Sequence, residues 1–490
     1  MIRKRTNNRP ESPLNISGIE LTFCSTKPAI AVRYALALAV LSALPLIAVR
    51  PAQAQTETVL YNFTGGSDGS GPTSSLSSDG AGNLYGTSNS GGLGYGTVFE
   101  LSPTGVGGWN EAVLYSFTGR ADGANPNLSY VMFDSGGNLY GTASQGGAEG
   151  YGVVFELSPE PVGGCPIGSN NGNGWCETVL YSFMSTPDGA SPASGLAWDQ
   201  QGNLYGTTYG GGSGSGVVYE LSPNGGGVWN ESMLYSFCSQ PSCLDGTYPN
   251  GLVQENGNFY GTTENGGAYA VGTVFELSPQ PAGGCPSGSY TGNGWCESIL
   301  HAFAGHPTDG RYPSGTPVFD SAGNVYGTTV YGGRGTCDFD AGCGTVWELT
   351  PVTSGGYTEE ILHNFNSGPL TFGCCYPIRL PHFPSAGVVL DSSGNIYGTT
   401  TYGGSSSYCT ETEKGRGTYQ GCGTLFEIAK LQGKKAAYKF ELLWIFNWAD
   451  GANPVTSLIL DGGHLYGTTY NGGDFCPYPD GCGVAFEFTP

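Results

Sequence analysis

The chain has 490 residues, with 85 glycines, 30 tyrosines, 22 phenylalanines and 38% hydrophobic residues; it lacks a strict glycine period and is too aromatic to be disordered. Its formal net charge of −22 sets aside nucleic acid and anionic lipid surfaces as partners.

The first 54 residues differ in kind from the rest. Arg3, Lys4 and Arg5 lead, through a polar stretch, to an apolar run from Tyr34 to Val49, and then to Ala52-Gln53-Ala54. The run is short for a membrane span and contains Pro45. This pattern predicts a secretory signal over 1–54, cleaved after Ala54, and a periplasmic, extracellular or cell-surface destination. Cys24 precedes the apolar run, so it is not placed as a lipid-anchor cysteine. No second apolar segment follows, and no membrane span is expected in 55–490. Removing seven Lys/Arg and two Asp/Glu from totals of 17 and 39 leaves 10 and 37, a net charge of −27. Such a surface suits neutral ligands or cations.

From residue 55 onward one unit recurs seven times. GNLYGT or a near relative is centred on Tyr85, Tyr140, Tyr205, Tyr260, Tyr326, Tyr397 and Tyr466. A glycine-rich stretch follows each copy, and then GTVFEL or a variant, ending in Glu100, Glu156, Glu220, Glu276, Glu348, Glu427 and Glu487. VLYSF-like strings come next, as at 113–117, 179–183 and 233–237; shorter runs such as GLAWD (195–199) precede an Asp-x-x-Gly-Asn turn. Four strand-like strings per repeat, with no helix-period segment, predict an all-β, seven-bladed β-propeller of four-stranded antiparallel blades in a single domain, 55–490.

Residues 192–208, PASGLAWDQQGNLYGTT, resemble the core of NHL and YWTD propeller repeats. The whole pattern, VLYSF…DGxxP…D-x-x-GNLYGTT-x-x-GG…GTVFEL, is still more similar to the GloVer (Gloeo/Verruco) tandem repeat of exported bacterial proteins, over 58–490. The resemblance to NHL repeats implies that GLAWD is innermost, NLYGTT second, GVVYEL third and VLYSF outermost. The first VLYNF (59–63) is then spare, the last repeat lacks an outer strand, and pairing the two closes the ring. The resemblance implies a repeat type and carries no biochemical role over to this chain.

Twelve cysteines fall into close pairs: Cys165/Cys176, Cys238/Cys243, Cys285/Cys296, Cys337/Cys343, Cys409/Cys422 and Cys476/Cys482. In an exported chain these read as local disulfides; zinc would need four converging ligands, and the pairs sit in separate repeats. The pairing of Cys374 and Cys375 stays open.

Candidate binding residues come from two places. The linkers carry Asp-Gly-x-x-Pro at Asp68, Asp122, Asp188, Asp245, Asp309 and Asp450. They read either as a repeated structural turn, which recurrence favours, or as a ring of carboxylates able to hold a cation or sugar hydroxyls. Calcium needs six to eight oxygens about one point, and dispersed aspartates do not obviously supply them. The irregular linker between Phe365 and Asp391 lacks Asp-Gly and carries Tyr376, Arg379, His382 and Phe383. Irregular loops on regular scaffolds often carry function. His301 and His363 occupy the tyrosine slot of VLYSF and, with the seven repeated glutamates, read as structural. Trp109, Trp175, Trp229 and Trp295 recur before the outer strand, as packing residues or sugar platforms. No nucleophile elbow, zinc-protease motif or phosphate loop is present. The expectation is a binding or scaffold module for a neutral glycan or a protein, with no cofactor or metal, calcium being the one alternative. The alternatives are a carbohydrate-active enzyme using linker-face carboxylates and a purely structural surface protein.

Overall fold

The computed structural model describes residues 55–490 except 128–129, 167–168, 193, 338–340, 354, 367–368, 371–377, 406–408, 414–416, 432–437 and 478–480. The predicted signal, Tyr376, Cys374 and Cys375 lie outside the described residues. Seven antiparallel sheets follow one another and close into a seven-bladed propeller. In the third blade the innermost segments Ala190–Pro192 and Ala197–Trp198 pair with Leu204–Gly210, which pairs with Val217–Pro223, which pairs with the outer strand Trp229–Ser236. That order matches the one the repeat resemblance implied. Thr56–Asn62 completes the last blade beside Val484–Thr489, so the ring is closed by strand pairing between its two ends. Among the described residues helix is confined to two short 3-10 turns, and no helix is long and apolar enough to cross a membrane.

The repeat's residues explain its strands. In Asp-x-x-Gly-Asn, Asp199 accepts hydrogen bonds from the Gln201 and Asn203 backbone amides at 2.8 and 2.9 Å and from the Asn203 side chain at 2.7 Å, clamping the first hairpin. The glycine of LYGT sits opposite the aromatic of GTVFEL, as Gly141 does opposite Phe155. A Cβ at Gly141 would lie 2.7 Å from the Phe155 ring. The glycine is required by close approach of that ring. In the outer strand the leucine of VLYSF is a bulge: Val113 faces Phe99, Tyr115 faces Val98, and Leu114 is extra. The bulge lets successive apolar residues be buried where simple alternation would expose one.

Each core cluster lies between neighbouring blades. Phe117 of one blade meets Phe155 of the next edge-to-face at 5.2 Å, and Phe183 meets Tyr219 likewise at 5.0 Å. At the closure Leu60, Phe63 and Ala485 pack with Leu76, Leu84 and Phe99. Six disulfides join Cys165–Cys176, Cys238–Cys243, Cys285–Cys296, Cys337–Cys343, Cys409–Cys422 and Cys476–Cys482.

Candidate functional site

The linker aspartates are buried keystones. Tyr61, Tyr115, Tyr181 and Tyr235 of the outer strands donate to Asp68, Asp122, Asp188 and Asp245 at 2.7–3.1 Å. His301 takes the tyrosine's place against Asp309 at 3.1 Å, and Trp444 Nε1 donates to Asp450 at 3.3 Å. Each carboxylate also accepts a backbone amide of its own linker, such as Thr118 N–H at 2.7 Å and Ala304 N–H at 2.7 Å. The structure therefore turns these six inward, one at each of six blade junctions. Among the described residues the only three His, Cys, Asp or Glu side chains whose ligand atoms all lie within 4.8 Å of one another are His301, Asp309 and Glu359.

A second set of carboxyls stands behind the first, and it escaped the sequence reading. Glu57, Glu111, Glu177, Glu231, Glu297 and Glu359 each lie four residues before the slot aromatic or histidine, beside Asp450, Asp68, Asp122, Asp188, Asp245 and Asp309 of the preceding linker. Burial above all, with the neighbouring aspartate adding, raises Glu57 and Glu177 to about 8 and Glu111 and Glu231 to about 7. Burial likewise lifts Glu297 well above the carboxylate range, and burial, with the Asp309 carboxyl beside it, lifts Glu359 to about 9. The junction without an aspartate is the control. There the equivalent of the glutamate is Phe440, and His363 stacks on it at 4.0 Å, held near 4 by burial. All three polar members change together.

The linkers and the second-to-third loops share one face, because they are bonded to each other. The backbone amides of Gly71, Asn125, Ser191, Tyr248, Tyr312, Phe383 and Asn453 donate to carbonyls of Cys482, Tyr95, Tyr151, Ser215, Val271, Cys343 and Cys422 in the preceding blade, at 2.7–2.9 Å. All seven donors are left-handed, with φ of 52–59°. Glycine and asparagine adopt that conformation readily; three adjacent blades use Tyr248, Tyr312 and Phe383, whose bulk makes it costly by ~1–3 kcal/mol each. Those rings join others in an arc. Tyr209 stacks on Tyr248 at 4.5 Å, Arg311 lies 4.3 Å over Tyr312, Tyr331 contacts both Tyr312 and Phe383, and His382 stacks on Tyr402 at 5.8 Å. On the same face Tyr95, Tyr151, Tyr209, Tyr269 and Tyr470, one from each of five blades, are 40–61% exposed.

The irregular linker forms a small sheet of its own, with Ile378–His382 pairing with Tyr402–Ser405. Arg379 sits in that strand opposite Gly404, and His382 is buried, its Nδ1 2.9 Å from the Leu380 carbonyl. On the far end Trp109, Trp175, Trp229 and Trp295 begin the outer strands and pack on the core clusters. The repeated glutamates pair with the second-strand tyrosines, as in Tyr260 to Glu276 at 3.0 Å and Tyr326 to Glu348 at 2.9 Å.

Seven like blades, stapled on one face and closed by the first strand, define a tandem-repeat β-propeller. The model of the Gloeobacter/Verrucomicrobia repeat matches residues 46–275 and 287–490. The chain belongs to that family. No curated protein matches it. Among solved structures it is similar to the PQQ-bound aldose sugar dehydrogenase of Streptomyces coelicolor, with 12% identity, 89% of this chain and 99% of that one covered, and a TM-score of 0.39. It is also similar to the phage phi92 endosialidase, with 9% identity, 89% and 68% covered, and a TM-score of 0.39. Likenesses this distant say nothing of this chain's activity.

Proposed function

We propose that the protein is an exported recognition module that binds a neutral glycan on its linker face. The ring of exposed tyrosines carries this reading. Flat aromatic faces with a hydroxyl at the edge stack on the apolar side of sugars and bond their hydroxyls. The costly left-handed aromatics of three adjacent blades support it, since such strain gathers where a surface is used. The acidic charge favours an uncharged ligand. The buried aspartates, engaged within their junctions, hold the face in shape and leave ligand contact to the tyrosines. Export is supported by six disulfides and by the A-x-A pattern, and the N-terminal residue of the exported protein is expected to be Gln55.

A thermal-shift screen against neutral oligosaccharides tests the reading, because a ligand of the folded state raises the melting temperature by mass action. The double variant Tyr151→Ala/Tyr269→Ala is expected to lose the shift while melting like the parent. Shifts that ignore the tyrosine variants, or no shift with any glycan, would overturn it. Chromatography of the bound glycan after incubation separates a binder, which returns it intact, from an enzyme.

A further inference from the structure

We propose that His301, Asp309 and Glu359 form a binding site for one divalent transition-metal ion. At four other junctions the equivalent trio is tyrosine, aspartate and glutamate; here alone a histidine joins an Asp–Glu pair. A phenol that donates to its aspartate offers a cation little, whereas a neutral imidazole nitrogen is a strong ligand for borderline metals.

His301 Nε2 lies 3.1 Å from Asp309 Oδ2 and 3.8 Å from Glu359 Oε1. Zinc bonds to nitrogen and oxygen of ~2.0–2.2 Å put neighbouring tetrahedral ligands ~3.4 Å apart, a value these two separations bracket. His301, Asp309 and Glu359 each bring one ligand atom to within 4.8 Å of the other two. A divalent cation at that point would be shared by the imidazole and both carboxylates. The side chains of His301, Asp309 and Glu359 are 21%, 9% and 16% exposed, so water can enter and complete the coordination.

The surroundings hold the ligands in place. Ala304 N–H donates to Asp309 Oδ2 at 2.7 Å and Gly310 N–H to Oδ1 at 2.5 Å. Phe303, fully buried, meets the His301 ring edge-on at 4.8 Å. Such support is what a ligand set needs to keep its geometry. A histidine in the slot is not enough by itself: His363 has neither acid beside it and stacks on Phe440. The site is of the three-ligand, water-open type, with zinc or cobalt(II) preferred over calcium because of the imidazole.

The test is a titration of the untagged full chain, disulfides intact and treated with EDTA, with Zn²⁺ by calorimetry and Co²⁺ by visible absorption. One equivalent is expected, with cobalt d–d bands typical of a nitrogen–oxygen site. His301→Tyr, which restores the sibling trio, is expected to lose that equivalent, and Glu359→Gln to bind more than ~tenfold more weakly. Both variants should keep the parent's circular dichroism without metal, and either one serves if the other misfolds. No saturable binding below about 1 mM would overturn the proposal. So would an equivalent unchanged in the folded variants, which would assign the metal elsewhere, such as Cys374 and Cys375.

Discussion

Neutralising one inner glutamate should make the protein less sensitive to alkali. Glu177 is the cleanest case: it is fully buried, receives the Asn170 amide at 2.7 Å, and keeps its other oxygen without a partner. Burial raises it from 4.5 to about 8. A group whose folded pKa is raised contributes its stability below the unfolded value and loses it as pH climbs through the folded one. The window therefore runs from about pH 4.5 to 8, in which the unfolded chain has ionised this carboxyl and the folded chain has not. A shift of this size corresponds to roughly 5 kcal/mol at most, and relaxation with water entry leaves ~2 kcal/mol. In a domain of this size that is ~2 °C in melting temperature. Glu177→Gln, which keeps the shape and cannot ionise, is expected to melt with the parent at pH 5 and ~2 °C above it at pH 9. Glu160→Gln, at an exposed position, controls for the lost surface charge. Calorimetric scans at fixed ionic strength give both curves. Parallel curves for Glu177→Gln and the parent would refute the buried-proton argument.

Other consequences concern the frame. Gly141→Ala, forcing a Cβ into the Phe155 ring, is expected to cost ~1–3 kcal/mol by chemical denaturation. Tyr235→Phe removes the bond to the fully buried Asp245 and should cost ~1–3 kcal/mol, read as a lower urea midpoint. Deleting 55–64 strips the strand beside Val484–Thr489 and exposes Leu60's neighbours, so cooperative melting should be lost in circular dichroism. Non-reducing peptide mapping should recover the six short-range disulfides and no bridge between distant repeats among those twelve cysteines.

Seven copies made the architecture legible in the sequence. Each strand announced itself repeatedly, and the spare VLYNF at one end matched the missing string at the other. The aspartates were visible as a motif, but whether a carboxylate faces inward depends on which tyrosine reaches it, and that follows from a bulge. Val113, Leu114 and Tyr115 read as a plain apolar run; only the extra residue in the pairing explains how they share out among core and junction. The inner glutamates were hidden for a related reason. They stand in the outer strand of one blade and meet an aspartate of the linker before it, as Glu177 and Asp122 do across 55 residues, so no local motif joins them. Their fixed offset of four from the slot aromatic was the signal available.

The same comparison separates frame from function within a single chain. What all junctions share, such as the left-handed amide bonded to the preceding blade, answers a need of closure and says little about ligands. What they do not share is informative only when the change is not compensated. At the sixth blade the tyrosine, aspartate and glutamate are replaced together, and His363 against Phe440 is a complete apolar substitute. At the fifth blade only the tyrosine is replaced, so His301 inherits two acids it does not need for packing. At Tyr248, Tyr312 and Phe383 a permissive residue is exchanged for one that strains the backbone, although Gly71, Asn125 and Asn453 make the same bond. Folding accounts for the first change and for neither of the others. The uncompensated positions are therefore where ligand chemistry should be sought, and both lie on the linker side of blades 4 to 6.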